Sequence, residues 1–259
     1  LRPLAGLSEL ETLLVNGTLL EGSFLTFLPD NSKLKTIDLS ETAKFQPQHL
    51  IHLGKLKELE TVSLPPLAPP AEAMASIASL GNLKDIHFYP PFTGETLAGG
   101  KGFRSVTYLD LDYSPITDAG WRAIATAMPE LHKITFMRSP ESTGPKSIAS
   151  MGEHLGGLRN LTDFRAGGGG ITDEWMPALA HLKNLKSLSL QGAGLTDAGL
   201  VSLQDMEITH LIIRQTGLTD AAVPTLKRFP ALRTGEFHQT KITDPVLAEF
   251  GEFLKGRAE

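Results

Sequence analysis

The sequence predicts an α/β solenoid, a stack of about ten repeats that each hold one short parallel strand followed by a short helix or turn. Two observations predict it. An apolar triplet of the form L-x-x-L-x-L recurs along the whole chain of 259 residues. Between the triplets, the more regular repeats carry apolar residues at helical spacing, such as Val223, Leu226 and Phe229. A strand-period pattern that alternates with a helix-period pattern is typical of α/β architecture.

The triplet recurs at a nearly constant distance. Its first residues are Leu10, Leu34, Leu59, Leu83, Val106, Leu131, Leu161, Leu185, Ile208 and Leu232. The successive steps are 24, 25, 24, 23, 25, 30, 24, 23 and 24 residues. Such regular spacing indicates one supersecondary unit copied along the chain. The 30-residue step predicts an insertion within about residues 139–156.

Each repeat should supply one strand, because its triplet ends in a period-two alternation such as Leu188-Ser189-Leu190. We expect a single domain over 1–259, closed by a helix over 245–255. Every repeat follows the same path, so all the strands should be parallel. The expected strands lie near 10–16, 34–40, 59–65, 83–89, 106–112, 131–137, 161–167, 185–191, 208–214 and 232–238.

Triplet and spacing together resemble the leucine-rich-repeat family over essentially the whole chain. The run from Leu195 to Leu200, LTDAGL, resembles the short bacterial type and, in repeat style only, the F-box-like subclass. The resemblance implies strands on a concave face and short helices or turns on a convex face. One departure is the column that usually holds asparagine or cysteine, which here holds mostly small and hydroxyl residues such as Thr18, Thr42 and Ser114.

Thr-Asp pairs precede several predicted helices and could suggest catalysis. They stand at 117–118, 172–173, 196–197, 219–220 and 243–244. Threonine and aspartate accept hydrogen bonds from the free N–H groups of a helix N-terminus, and acidic groups suit its positive end. We therefore interpret these pairs as helix caps.

Composition excludes several functions. The net charge of −5 disfavours nucleic acid as a partner, because phosphate binding needs concentrated cationic charge. The absence of cysteine excludes disulfides and thiolate chemistry. No apolar run is long enough to span a membrane, and no catalytic or phosphate-binding motif is present. The sequence thus predicts a protein that is not an enzyme and has no cofactor. The compartment stays open, with an extracytoplasmic or periplasmic location favoured over the cytoplasm.

The middle of the concave face is the candidate binding site. All three tyrosines of the chain lie there beside charged residues, and exposed tyrosine is favoured in binding hot spots. An ordinary polar sheet face with incidental aromatic residues is the alternative. The predicted ligand-binding patch consists of Asp85, His87, Tyr89, Tyr108, Asp110, Asp112, Tyr113, Lys133, Met137, Arg138 and Arg165.

These observations favour a non-catalytic module that binds a protein partner through the concave face. Carbohydrate or cell-surface polymer binding is the alternative, and a regulatory part of an enzyme is less favoured. A metal site at His87 and the nearby aspartates is also disfavoured, because side chains along a ladder project in parallel. The N-terminal repeat, with Leu4, Leu7 and Leu10 and no polar cap, predicts a further upstream repeat or self-association through this edge.

Overall fold

The structure, a computed structural model, describes residues 6–30, 32–98, 102–138, 148–168, 171–192 and 194–257, without the side chains of residues 138 and 148–150. The chain divides into two compact units, Leu1–Leu131 and His132–Glu259. They are called the N-terminal unit and the C-terminal unit below.

The N-terminal unit contains five parallel strands that pair in chain order. The strands are β1 (Thr12–Leu14), β2 (Thr36–Asp38), β3 (Thr61–Ser63), β4 (Asp85–His87) and β5 (Tyr108–Asp110). Its helices are α1 (Ala71–Ala78) and α2 (Asp118–Ala127), with 3-10 segments at Ser23–Phe27, Pro47–Lys55 and Glu95–Leu97.

The C-terminal unit repeats this plan with five parallel strands in chain order. These are β6 (Lys133–Arg138), β7 (Asp163–Gly168), β8 (Ser187–Gln191), β9 (His210–Arg214) and β10 (Thr234–His238). The helices are α3 (Ile148–Leu155), α4 (Met176–Leu179), α5 (Asp197–Leu200), α6 (Val223–Leu226) and α7 (Asp244–Lys255), with 3-10 segments at Asp173–Trp175, Val201–Leu203 and Asp220–Ala222. The prediction of ten parallel strands with short helices is confirmed.

The apolar triplet sets both the position of each strand and the core. Every strand begins two residues after the first residue of its triplet. In repeats with a neighbour on both sides the triplet is buried, as at Leu185, Leu188 and Leu190, which are all 0% exposed. In the first repeat Leu10 and Leu13 are only half-buried. A repeat therefore buries its apolar side chains mainly against its neighbours, at roughly 1.5–3 kcal/mol for each fully buried leucine.

The Thr-Asp pairs do more than cap helices. The capping prediction is confirmed for Thr117, Thr196 and Thr219, whose side chains accept hydrogen bonds from backbone N–H groups of the helix that follows. It is wrong for Thr172 and Thr243, which make no such bond.

The aspartate of a pair joins one repeat to the next. Asp197 accepts hydrogen bonds from the Thr219 backbone N–H, at 2.8 Å, and from the Thr219 hydroxyl, at 2.6 Å. Asp173 holds Thr196 and Asp220 holds Thr243 in the same way. A carboxylate that accepts two hydrogen bonds forms a strong link. These links join consecutive repeats of the C-terminal unit at the helix starts.

The hydroxyl column has its own role at the strand ends. The Thr18 hydroxyl donates to the carbonyl oxygen of Val15 at 2.7 Å, and the Thr42 hydroxyl donates to that of Leu39. The Ser114 hydroxyl reaches back to the carbonyl oxygen of Phe88 in the preceding repeat, at 3.3 Å. Buried backbone acceptors need such partners. The hydroxyl column thus provides hydrogen-bond donors for backbone carbonyl oxygens at the strand ends.

A left-handed residue marks the corner after several strands. It lies seven residues after the first residue of the triplet, where the chain turns out of the sheet. The residues with positive φ at this position are Gly17, Glu41, Tyr113, Gly168, Gln215 and Gln239, with φ from 53° to 101°. Glycine is the residue best suited to this conformation, yet four of the six positions carry a side chain.

The two chain ends differ. Within the described residues β1 pairs with β2 alone, and Leu7, Leu14 and Leu19 are 44%, 62% and 70% exposed. At the other end α7 covers part of the last repeat through Phe250, which is 1% exposed and whose ring centroid lies 5.9 Å from that of Phe237. The predicted insertion falls partly on residues 139–147, outside the described residues. Among the described helices none combines the length and apolarity needed to cross a membrane.

The aspartate link can be tested at Asp197. Asp197→Ala removes both acceptors of Thr219, so we expect the free energy of unfolding to fall by about 2 kcal/mol. Urea denaturation monitored by circular dichroism measures it. The matched control is Asp205→Ala, at an exposed site with no hydrogen-bond partner among the described residues. Equal losses in the two variants would show that the link contributes nothing of its own.

Candidate functional site

The side chains that alternate with the core triplet form one surface of each unit, here called the open face. In each repeat it comprises the residues that stand two, four and six positions after the first residue of the triplet. In the N-terminal unit this face carries four carboxylates and no lysine or arginine, and its members are Thr12, Leu14, Asn16, Thr36, Asp38, Ser40, Thr61, Ser63, Pro65, Asp85, His87, Tyr89, Tyr108, Asp110 and Asp112.

Three of the predicted site residues meet on β4 and β5. Asp110 lies directly across from His87 in the ladder, and Tyr108 is two residues away on the same face. The Tyr108 hydroxyl donates to Asp110 Oδ2 at 3.2 Å, and His87 Nδ1 lies 3.5 Å from the same oxygen. The His87 and Tyr108 rings pack edge to face with centroids 5.4 Å apart. The ladder thus converts residues 23 positions apart into one contacting group.

Asp110 is the centre of this group. Its side chain is 14% exposed, and its second oxygen, Oδ1, accepts the backbone N–H of Asp112 at 3.0 Å. Burial raises the pKa of the carboxyl group, but the hydrogen bonds from His87, the Asp112 backbone and Tyr108 outweigh burial and hold the pKa below its ordinary value. Asp110 is therefore an ionised, hydrogen-bonded carboxylate that also fixes the turn after β5.

Tyr89 reaches across the open face. The side chain of Ser40, two repeats earlier, and the carboxylate of Asp38 are both close enough to influence its phenol. Tyr89 is half-buried on this face. Burial raises the pKa of Tyr89, and the negative charges of Asp110, Asp38 and Asp112 raise it further.

The other predicted residues of the N-terminal unit have separate surroundings. Asp85 accepts a hydrogen bond from the Thr61 hydroxyl at 3.4 Å. Tyr113 occupies the left-handed corner after β5, with φ 60°, and is 50% exposed. It is the most exposed of the three tyrosines, since Tyr89 and Tyr108 are half-buried.

The predicted residues of the C-terminal unit lie on its own open face. Lys133 is exposed and lies across from Asp163, while Arg165 is exposed between Thr135 and Ser189 in the ladder. Met137 is half-buried against Gly167, where an added Cβ would come within 2.5 Å of its methyl carbon. The side chain of Arg138 lies outside the described part of the structure.

The predicted patch does not include Asp38, which belongs to the second repeat and lies on the same open face. Its carboxylate raises the pKa of Tyr89, and its Oδ1 accepts the Ser40 backbone N–H at 2.9 Å. Asp110 makes the same bond with Asp112. The signal was present in the sequence, because both aspartates stand four residues after the first residue of their triplet.

Among the described residues, no three histidine or acidic side chains come close enough together to hold a metal ion. His87 and Asp110 approach each other, but Asp85 turns toward Thr61. What this part of the structure offers is a hydrogen-bonded surface with negative charge and aromatic rings.

The stacked strands, buried triplets and open faces define a leucine-rich-repeat solenoid. A sequence profile of the Leucine Rich repeat family matches residues 104–125 and 181–203. The chain is thus a leucine-rich-repeat protein, as its repeat pattern predicts. No curated protein is significantly similar to it in sequence.

Solved structures support the fold. An internalin from Listeria monocytogenes aligns with 97% of this chain and 75% of its own, with a TM-score of 0.54 and 17% sequence identity. TLR13, determined in complex with ssRNA13, aligns with 90% of this chain and 36% of its own, with a TM-score of 0.50 and 17% identity. At these identities the likeness concerns the fold alone.

The role of Asp110 predicts an acid-sensitive contribution to stability. The pKa is lower in the folded chain than the ordinary value of 3.8, so the unfolded chain binds the extra proton and stability rises with pH through this range. Asp110→Asn should be less stable than the wild type at neutral pH. The difference should shrink as the pH falls below about 3.8. Thermal unfolding across this range measures it, and a pH-independent difference would contradict the assignment.

Tyr89 should ionise above the ordinary tyrosine value of 10.0. The chain has only three tyrosines, so the phenolate absorbance of the wild type minus that of Tyr89→Phe isolates this one group. Asp38→Asn should move the absorbance step that marks Tyr89 ionisation to lower pH, because a nearby negative charge is removed. Glu72→Gln, at an exposed position on α1, is the control and should leave the pH of the Tyr89 absorbance change unaltered. A step in the wild type at or below 10.0 would be the contrary result.

Proposed function

We propose that this protein is a non-catalytic binding module whose open face recognises a protein partner. The observation that carries the proposal is the clustering of all three tyrosines of the chain on two consecutive repeats, beside His87 and Asp110. Tyr89 and Tyr108 lie on the open face, and Tyr113 lies at the corner that follows β5. Tyrosine offers a large contact area with few torsions to restrict, which suits it to the centre of an interface.

The scaffold supports this proposal physically. The side chains of the open face project from a continuous backbone ladder whose other side is a packed core. Their positions are set before a partner arrives, which lowers the entropic cost of binding. Asp110 holds Tyr108 and His87 by hydrogen bonds and lies next to the corner that bears Tyr113.

The same reasoning weighs against nucleic acid. The RNA of the TLR13 complex is a property of that protein. In the N-terminal unit here the open face carries four aspartates without a lysine or arginine, and carboxylates repel phosphates. The lysine and arginines of the predicted patch, Lys133, Arg138 and Arg165, belong to the C-terminal unit.

A carbohydrate or cell-surface polymer is the second candidate ligand. Tyrosine rings next to carboxylates can stack on a sugar and accept hydrogen bonds from its hydroxyl groups, and Tyr108 with Asp110 offers both. Of the three tyrosines, however, only Tyr113 is as much as 50% exposed, which leaves a small surface for stacking. If this candidate is right, the wild type should bind glycans on an array and Tyr113→Gly should not.

Self-association through the N-terminal edge also remains a proposal. Among the described residues β1 pairs with β2 on one side only, and an unpaired strand edge readily pairs with another strand. Exposed Leu7 and Leu14 lie at the same end. Analytical ultracentrifugation over a concentration series tests it, and a monomer at all concentrations would exclude it.

Tyr113 provides the main test of the proposed function. A photoreactive phenylalanine analogue at position 113 should cross-link a protein from the native source of the chain. The same analogue at Arg122, exposed on α2, should not cross-link it. The purified partner should bind Tyr113→Gly more weakly by at least about tenfold, the effect of losing one central aromatic contact.

Tyr113→Gly is also the right variant for separating binding from folding. Tyrosine in the left-handed region costs about 1–2 kcal/mol, which glycine avoids at the expense of a more flexible unfolded chain. Its free energy of unfolding should therefore stay within about 1 kcal/mol of the wild type. Equal cross-linking from positions 113 and 122, or full affinity in Tyr113→Gly, would count against an open-face interface.

A further inference from the structure

The open face of the N-terminal unit has four aspartates and no lysine or arginine among its members, which bears on the chemistry of its partner. Asp38, Asp85, Asp110 and Asp112 lie on it, and its only basic side chain is His87. The C-terminal unit differs, since its open face mixes Lys133, Arg165 and Arg214 with Asp163 and Glu236. Negative charge is thus a feature of one face and does not follow from the overall composition.

Two carboxylates of this face, those of Asp38 and Asp85, have no cationic partner among the described residues. Within the described residues, neither Asp38 nor Asp85 forms an ion pair, and the ion pair of Asp110 is with His87. Elsewhere in the same unit, exposed acids do have lysine partners, as in Lys33–Glu9 at 2.6 Å and Lys35–Glu11 at 3.2 Å. Lysines are therefore available to the unit but are placed beside the strand starts, away from the open face.

Aromatic rings lie among these carboxylates. Tyr89 is half-buried on the face, and the negative charges of Asp110, Asp38 and Asp112 help to raise its pKa. Tyr113 is exposed at the corner after β5, the strand that also carries Asp110. A cationic side chain gains from a carboxylate by charge and from a ring face by cation–π attraction, and one that binds here could use both.

We infer that the open face of the N-terminal unit binds a protein segment rich in lysine or arginine, held by the carboxylates of Asp38 and Asp85 and by the rings of Tyr89 and Tyr113. This inference rests on the proposed function and names its partner class. Charge complementarity of this kind accelerates encounter and excludes wrongly charged partners. The lysine and arginine side chains of the segment supply the cations that the face itself lacks.

The local structural role of the aspartates offers a competing explanation. Asp38 and Asp110 each use Oδ1 to accept the backbone N–H two residues ahead, which shapes the turn after the strand. That bond needs an oxygen acceptor at this position but no charge, and asparagine can supply it. Asp85 likewise holds the Thr61 hydroxyl through one oxygen. Aspartate-to-asparagine changes therefore remove the charge and keep the turns.

The experiment measures binding of synthetic peptides of equal length, one lysine- and arginine-rich, one acidic and one neutral, by isothermal titration calorimetry at low and physiological salt. The variant is Asp38→Asn/Asp85→Asn. The matched control, Glu58→Gln/Glu72→Gln, makes the same change in net charge at exposed acids away from the open face. Circular dichroism verifies that both variants fold.

The wild type should bind the basic peptide and neither of the others, and binding should weaken as salt rises. We expect the open-face variant to lose affinity for the basic peptide by about tenfold or more and the control to stay within about twofold. Tyr113→Gly should also bind the basic peptide more weakly than the wild type does. Equal losses in the two double variants, or no loss in either, would overturn the inference, as would equal binding of the three peptides.

Failure here is distinguishable from failure of the proposed function. Suppose that a protein is cross-linked from position 113 and binds Asp38→Asn/Asp85→Asn with full affinity. The proposed open-face interface would then stand, and the inference of a lysine- or arginine-rich partner would be refuted. No cross-linked protein and no peptide binding would refute both.

Discussion

The structure depends on one constraint, which is that a single repeat cannot bury its own apolar triplet. Leu188 and Leu190 are fully buried because another repeat packs on each side, whereas Leu10 and Leu13 at the open N-terminal end stay half-buried. Stability in such an array is close to a sum of contributions from neighbouring pairs. All the other regular features, the parallel ladder and the recurring corners, follow from stacking copies of one path.

Polar groups then fix how each copy meets the next. In the C-terminal unit the carboxylates of Asp173, Asp197 and Asp220 hold the threonine of the following repeat through two hydrogen bonds each. In the N-terminal unit the carboxylate of Glu95 accepts one hydrogen bond, from the Thr117 hydroxyl, at 2.7 Å. These bonds lie at the helix starts, away from the strand face. The two sets of acidic residues are therefore separate, since one set links repeats at the helix starts and the other lies on the open face.

Sequence spacing predicted the fold well and the site only in part. The strand starts follow from the triplets, since position and burial are both set by local periodicity. The contact of His87 with Asp110 follows from the ladder as well. The proximity of Tyr89 to Ser40 and Asp38 could not be predicted, because it depends on how far the tyrosine side chain extends toward a repeat two positions away. The Asp197–Thr219 link was missed for a similar reason, since both residues lie in turns where periodicity gives no direction.

The left-handed corner after the strands has a consequence for how such a protein can change. Gly17, Glu41, Tyr113, Gly168, Gln215 and Gln239 share this backbone conformation, and the side chains of Glu41, Tyr113, Gln215 and Gln239 are exposed. Since the backbone conformation is common to all six, exchanging one side chain for another leaves the core and the strand ladder untouched. Within each unit the corners thus form a set of positions at the ends of the strands whose side chains can vary. Ligand preference could diverge there, one repeat at a time, while the fold stays constant.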